Sequence, residues 1–354
     1  MIVKNEARSI AATIASVRPW VDRYTILDTG STDRTRELLR EAAEGLDGEL
    51  LEAPFVDFST TRNRALDHAD PRSVFTLMLS GDETLHEGAA LRDFCERHRE
   101  DTEGAYHVDV RFGDLRYDSA RLARCGGGWR YVGVTHEVLR KDGAGAPRQR
   151  VPGAYIHHEL GHRDPEALRQ RWLLDRRLLV EERKRRPEDP RALFYLAQTL
   201  ECLDDHRSAL GAYQQRVAMG GWREEVYEAL FRIGRVLEAM GSPWPEVQQA
   251  WLVAHAHSPH RAEPLYRIAW HYFQQKNWPL TFLFAQRAAQ LPEPPPGNLF
   301  VNMPVYRHKA LDLVSASAYY VGERAAGLAA LERLLTLFPD DPRHRKNLTF
   351  YEKP

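Results

Sequence analysis

Near residue 160 the chain changes its grammar, and this constrains the fold more than any other feature. Before that point, short apolar runs alternate with helical patterns and with Gly or Asp punctuation, the signature of an α/β layer structure. From Pro165 onward, β-branched alternation almost vanishes. Apolar residues there recur at helical spacing, in segments broken by Gly, Pro and Asp-Asp. A chain of 354 residues exceeds one ordinary domain and is short for three. The expectation is an α/β domain over residues 1–160 and an all-α domain over 161–354, each with its own core.

Within the first half, Met1 to Lys4, Tyr24 to Leu27 and Val74 to Leu79 read as buried strands, each ending where polar residues take over. Ala7 to Val17 has helical spacing, and Asp33 to Ala43 is a second helix entered through the capping residues Ser31-Thr32-Asp33. Strand-helix-strand-helix order implies a mostly parallel, Rossmann-like sheet, whose ligands bind at the carboxyl ends of the strands.

The second half reads as a repeat array. Leu193 to Ala197, with Leu200, Ala209 and Tyr213, fits a tetratricopeptide helix pair, and similar units centre on Gly234, on Ala269 with Tyr272, and on Ala316 with Tyr319. The steps between the small residues are 37, 35 and 47, against a repeat of about 34. The long third step contains Pro292, Pro294, Pro295, Pro296 and Gly297, which cannot sit inside a helix. Most of the many aromatic residues here fall at core spacing. Trp222 and Tyr306 stand near loops and are expected to face the active-site cleft.

Composition excludes whole classes of function. With 49 Lys and Arg against 50 Asp and Glu, the net charge of -1 leaves no basic field for sequence-independent nucleic-acid binding. Mean hydropathy is -0.53, and no apolar run approaches the length of about 18 residues that a membrane span needs. Cys95, Cys125 and Cys202 are too few and too scattered for a disulfide framework or a zinc site. The opening Met-Ile-Val-Lys-Asn-Glu reads as a strand from the start, not as a secretory signal, so the expected compartment is the cytoplasm.

Three polar clusters carry chemistry. In Asp28-Thr29-Gly30-Ser31-Thr32-Asp33 a strand ends on a carboxylate, Gly30 permits a tight turn, and N–H groups face a helix start, a corner suited to a nucleotide. An ordinary strand-to-helix turn capped by Ser31 has the same pattern. Leu79-Ser80-Gly81-Asp82-Glu83 again follows an apolar run, and its carboxylates suit Mg²⁺ or Mn²⁺ on a diphosphate, although acids in loops are commonly just solvated. Trp129 to Glu137, together with Tyr155-Ile156-His157-His158, brings His and Glu near apolar strands. That arrangement suits a metal ligand and a general base, or histidines that are merely hydrogen-bonded.

Taken together and in order, these clusters resemble the family 2 inverting glycosyltransferases of GT-A fold. The features that carry the resemblance are Met1 to Glu6, Asp28 to Asp33, Asp57-Phe58-Ser59 with Arg62-Asn63, the Asp82-Glu83 loop and Gly133 to Glu137. With its tetratricopeptide-like tail, the whole chain resembles a bacterial subgroup of that family that includes a peptide S-glycosyltransferase. The resemblance implies a nucleotide-sugar donor, most simply a UDP-sugar, held by Val3, Asn5, Glu6, Asp28, Thr29, Arg62, Ser80 and Gly81. It implies a divalent cation on Asp82 with His158 as a late ligand, and Glu137 as the base with His136 beside it. The implied acceptor is a peptide, natural product or glycan, and the helical repeats either select it or pair two copies of the chain.

The sequence departs from the family in two places. Ser80-Gly81-Asp82-Glu83 stands where the family presents Asp-Ala-Asp-Glu, so the first acid is missing. The first strand is also shorter than in relatives, so either it is truncated here or the natural start lies upstream. Two competing functions remain. A nucleotidyltransferase would need a glycine-rich phosphate loop, and Lys4-Asn5-Glu6-Ala7-Arg8 has no glycine. A tetratricopeptide scaffold with a weakened glycosyltransferase-like half is favoured by Ser80 and opposed by the survival of Asp82, Glu83, His136 and Glu137.

Overall fold

The first strand, β1 (Ile2–Val3), is two residues long yet lies inside the sheet. The structure is a computed structural model, and it describes residues 1–69, 72–102, 104–142, 149–158 and 165–352. β1 runs parallel to β2 (Arg23–Asp28), with Val3 beside Asp28. β2 in turn runs parallel to β3 (Asp47–Glu52). The crossovers are α1 (Ile10–Val17) and α2 (Thr35–Ala42). α1 buries Ile10, Thr13, Ile14 and Val17, the i, i+3, i+4, i+7 face of an amphipathic helix. Ile10, Ile14 and Leu39 close a core over Val3 and Ile26. Helix α2 starts two residues later than its capping sequence suggests, because the Asp33 carboxylate accepts the Thr35 amide (3.0 Å) and also the Ala7 amide (3.2 Å).

Next come α3 (Phe58–Asp67), capped by Asp57, and β4 (Phe75–Leu77). A parallel bridge from Ile2 to Ser80 joins the segment after β4 to β1. The remaining elements of this half are β5 (Glu83–His86), α4 (Gly88–Arg97), β6 (Ala105–Phe112), β7 (Leu115–Arg124), β8 (Arg130–Val132), β9 (Val138–Arg140) and β10 (Gln149–His158). β4 pairs antiparallel with β7, which continues as β7-β6-β10-β5. β6 and β10 are parallel, and the other neighbours in that series are antiparallel. The core of this sheet gathers Leu79, Leu85, Leu91, Phe94, Tyr106, Val108, Val110 and Ile156.

The boundary expected at residue 160 falls within 159–164, outside the described residues. The first compact unit runs further, to Leu196, and the second is Ala197–Pro354. Helix α5 (Pro165–Arg185) and the first half of α6 (Pro190–Cys202) therefore belong to the first unit. The physical ties are a Thr135 hydroxyl bond to Asp175 and two Arg191 bonds to the His136 carbonyl.

The second unit is tetratricopeptide-like: α7 (His206–Met219), α8 (Arg223–Ala239), α9 (Trp244–His257), α10 (Glu263–Gln274), α11 (Trp278–Ala289), α12 (Ala310–Ser317), α13 (Arg324–Leu337) and α14 (Pro342–Glu352). Ala197 and Ala269 are fully buried, and Gly234 lies so close to Trp251 that a Cβ would sit 2.3 Å from its Nε1. The fourth unit differs from expectation. Ala316 is only half-buried and Tyr319 is 46% exposed, while Ala318 takes the buried position. The helix tightens to a 3₁₀ turn over Ala318–Val321, which rotates the register. The proline-rich insertion is non-helical, as its composition requires. Tyr306 is core: its hydroxyl donates to Glu263 (2.7 Å) and accepts from the Ala262 amide (3.0 Å), so it does not face a cleft. Trp222 is exposed at the start of α8. Among the described residues no helix is long and apolar enough to cross a membrane.

Candidate active site

The carboxyl ends of β1 and β2 are stitched into one surface. Asp28 is buried; its Oδ1 accepts the amides of Gly30 and Ser31 (2.9 Å each), which folds the turn. Gly30 has φ 99°, a conformation that glycine adopts without strain. The other carboxylate oxygen, Oδ2, is buried with no hydrogen-bond partner, so its desolvation is uncompensated within the protein. Thr29 donates its amide (2.9 Å) and hydroxyl (3.1 Å) to the Val3 carbonyl. Asn5, in the left-handed region, donates its amide to Ser31 Oγ (3.0 Å) and accepts the Thr32 amide on Oδ1 (2.8 Å). The Glu6 amide donates to Thr35 Oγ1 (2.7 Å). These bonds give Asn5 and Glu6 a clear part in shaping the loop.

The loop after β4 meets this surface directly. Gly81 faces Val3 and Glu6 closely: a Cβ there would lie 2.7 Å from Glu6 Cγ, and the Gly81 carbonyl accepts the Thr13 hydroxyl (2.9 Å). Ser80 Oγ accepts from Arg62 Nη2 (3.2 Å). The two acids of the loop part company. Glu83 turns inward, accepting the Ser80 amide (2.8 Å) and pairing with Arg121 (2.7 Å). Burial opposes the Arg121 charge, but Glu83 together with Tyr117, Tyr131 and Glu137 outweighs it, so that guanidinium stays protonated more firmly than usual. Asp82 points the other way and lies 3.1 Å from His158 Nε2. That pair spans 76 positions. Among the described residues no group of three or more His, Cys, Asp or Glu gathers at metal-binding distance. An Asp–His pair matches a cation that takes its remaining oxygen ligands from a diphosphate and water.

Arg62 is the hub of the opposite side. It is 7% exposed, its Nε is ion-paired to Glu137, its Nη1 is buried without a hydrogen-bond partner, and it approaches the Tyr131 ring at 5.5 Å. Burial pushes the Tyr131 hydroxyl up to about 12. The Asp57 carboxylate caps α3 through the Thr60 amide (2.7 Å), while Asn63 exchanges two bonds with the Tyr131 backbone (2.8 and 2.9 Å). The motif around Asp57 thus fixes both α3 and the hairpin that carries Glu137. His136 is exposed, with φ 50°, and its ring stacks on Tyr195 at 4.0 Å. Contacts therefore run without a break from Thr29 through Val3, Gly81, Ser80 and Arg62 to Glu137. Asp175 and Arg191 carry no motif and were invisible in the sequence, and Tyr195 was visible only as part of the Leu193 to Ala197 repeat helix. Asn63 was visible only as part of the Arg62-Asn63 pair.

Residues 1–159 match the model of the family described as Glycosyl transferase family 2. The first 159 residues are a family 2 glycosyltransferase domain. The chain is also 22% identical to the SPbeta prophage-derived glycosyltransferase SunS of Bacillus subtilis over 214 residues, which is 59% of this chain and 50% of that protein. A TPR repeat-containing protein of Synechococcus elongatus is 40% identical over 86 residues, 24% of this chain and 20% of that protein. The chain thus spans half or less of the length of these curated relatives. Among solved structures, MamA is similar at 13% identity and a TM-score of 0.36, covering 49% of this chain and 94% of that one. Asp28, Arg62, Asp82 and Glu137 all lie within the family 2 match.

Proposed function

We propose that the family 2 domain transfers a sugar from a nucleotide-diphosphate donor, a UDP-sugar in our reading, to a peptide, natural product or glycan acceptor. The observation that carries this reading is the buried, unpartnered Oδ2 of Asp28 at the head of the contact chain that ends on Glu137. An acceptor atom held dry with no partner fits an N–H of a nucleobase. Val3, Asn5, Glu6 and Thr29 form the wall around the nucleoside, and Ser80 and Gly81 form its floor. Asp82 and His158 hold a divalent cation, Mg²⁺ or Mn²⁺, which when bound supplies positive charge to the diphosphate leaving group. The free Nη1 of Arg62 donates to a phosphate oxygen.

The acceptor oxygen, nitrogen or sulfur attacks the anomeric carbon from the face opposite the diphosphate. As that bond forms, the bond from the anomeric carbon to the diphosphate oxygen breaks, and the acceptor proton passes to the Glu137 carboxylate. A single displacement of this kind inverts the anomeric centre. His136, exposed and stacked on Tyr195, serves to hold the loop beside the base. Action in the cytoplasm accords with such a donor, and pairing of two chains through the helical repeats is testable by size-exclusion chromatography with light scattering.

The test is release of nucleoside diphosphate by the purified chain from UDP-glucose, UDP-N-acetylglucosamine or a thymidine-linked sugar, with and without Mn²⁺. Asp82→Ala is expected to cut release at least 100-fold with the melting temperature preserved. Near wild-type release would remove Asp82 from the mechanism. The scaffold reading is favoured by Ser80 in place of an acid, and failure to bind any of these nucleotides would support it.

A further inference from the structure

Residues 133–137 connect β8 to β9, whose last paired residues are Val132 and Val138. Four of these five residues are tied to other elements. The Val134 carbonyl accepts the Phe58 amide (3.0 Å), and Thr135 donates its hydroxyl to Asp175 (3.2 Å). The His136 carbonyl accepts from Arg191 through Nε (3.2 Å) and Nη2 (3.0 Å), and Glu137 pairs with Arg62. Asp175 is itself buried and fixed by Arg171 (3.1 Å to each oxygen), whose guanidinium lies 4.2 Å from the Phe58 ring. Arg191 also sits over the Tyr195 ring at 4.8 Å, the same ring on which His136 stacks.

His136 at φ 50° occupies a backbone conformation that is unfavourable for a residue with a Cβ, and such strain persists only where the surroundings impose it. Here the two Arg191 bonds and the Tyr195 stack impose it. Both residues come from α6, and Asp175 comes from α5, so all three lie beyond the family 2 match at 1–159.

We propose that Arg191, Tyr195 and Asp175 are positioning residues for transfer: they hold residues 133–137 in the left-handed turn that presents Glu137 to the acceptor. The proposal rests on the reading of Glu137 as the base. A carboxylate that must meet an acceptor proton loses rate steeply when misplaced by about 1 Å, whereas the nucleotide, held at Asp28 and by Arg62, meets this loop only through the Arg62–Glu137 pair.

The experiment measures kcat for nucleoside diphosphate release from UDP-glucose and, by calorimetry, UDP affinity on the full chain. Arg191→Met is expected to lower kcat 10- to 100-fold while UDP affinity changes less than threefold, with Tyr195→Leu in the same direction and Arg191→Lys intermediate. Adding His136→Gly to Arg191→Met is expected to recover kcat severalfold, because glycine adopts the left-handed turn without the clamp. A general loss of packing would not be rescued in that way. An unchanged kcat in a folded Arg191→Met, or no recovery in the double variant, overturns the positioning role. Glu137→Gln separates the two levels. If it keeps full turnover, the base assignment fails. If it is inactive while Arg191→Met is fully active, the clamp alone fails.

Discussion

Arg62→Met keeps the aliphatic stem and deletes the guanidinium that joins Ser80 to Glu137. The two side chains of the ion pair are only 8% and 9% exposed, so the change leaves the Glu137 carboxylate buried without a counter-charge. Breaking a buried pair from one side costs about 3–5 kcal/mol. The expected loss is therefore about 3–5 kcal/mol at pH 7. Urea unfolding, with hydrogen exchange on β2 to mark the first unit, measures it. The double variant Arg62→Met/Glu137→Gln is expected to regain about 2 kcal/mol, since no charge is then stranded. A loss under about 1 kcal/mol in Arg62→Met, or no recovery in the double variant, would refute the buried pair.

Asp28→Asn preserves an acceptor for the Gly30 and Ser31 amides but turns the unpartnered Oδ2 into a donor. UDP affinity should fall by about 10- to 100-fold, as for a lost charge-assisted bond, and calorimetry showing unchanged affinity would take the nucleobase away from Asp28. Gly234→Ala drives a Cβ to 2.3 Å from Nε1 of the fully buried Trp251, whose indole donates to the Phe231 carbonyl (3.2 Å) and has no room to retreat. An overpacking loss of about 1–3 kcal/mol is expected in urea unfolding, and no loss would mean the helices separate freely there. Burial holds His255, His257 and His271 below the ordinary value of 6.5. The unfolded chain then binds protons first, so stability is full above pH 6.5 and drains away as the pH falls through that value and then through the lower folded ones. The melting temperature should drop between pH 7.5 and 5.5, and His255→Gln should shrink that drop; a melting curve flat with pH would contradict it.

Much of the first half was legible because its signals are local. β2 follows from a short apolar run, α1 from apolar residues at period 3.6, and the Asp28-Thr29-Gly30 corner from the demands of a tight turn. β7 was not legible. It spans Leu115–Arg124, and its charged residues are neutralised by neighbours: Arg116 pairs with Asp109 and Arg121 with Glu83, so no apolar run marks it. Glu83 shows the same limit within one loop. Beside Asp82 in sequence, it faces the core because Asp82 lies in the turn while Glu83 opens β5, where its carboxylate accepts the Ser80 amide and meets Arg121.

What the sequence by itself determined is the kind of fold, an α/β sheet followed by tetratricopeptide-like helices, and the residue types available at the strand ends. Periodicity, caps and breakers are properties of neighbouring residues and need nothing else. Which side chains meet was decided only by the tertiary structure. Arg62 met Glu137 across 75 positions, His158 met Asp82 across 76, and α6 reached back to grip His136. Those meetings depend on strand register and helix packing, where a shift of one residue turns a side chain to the other face, and no short stretch of sequence carries that information.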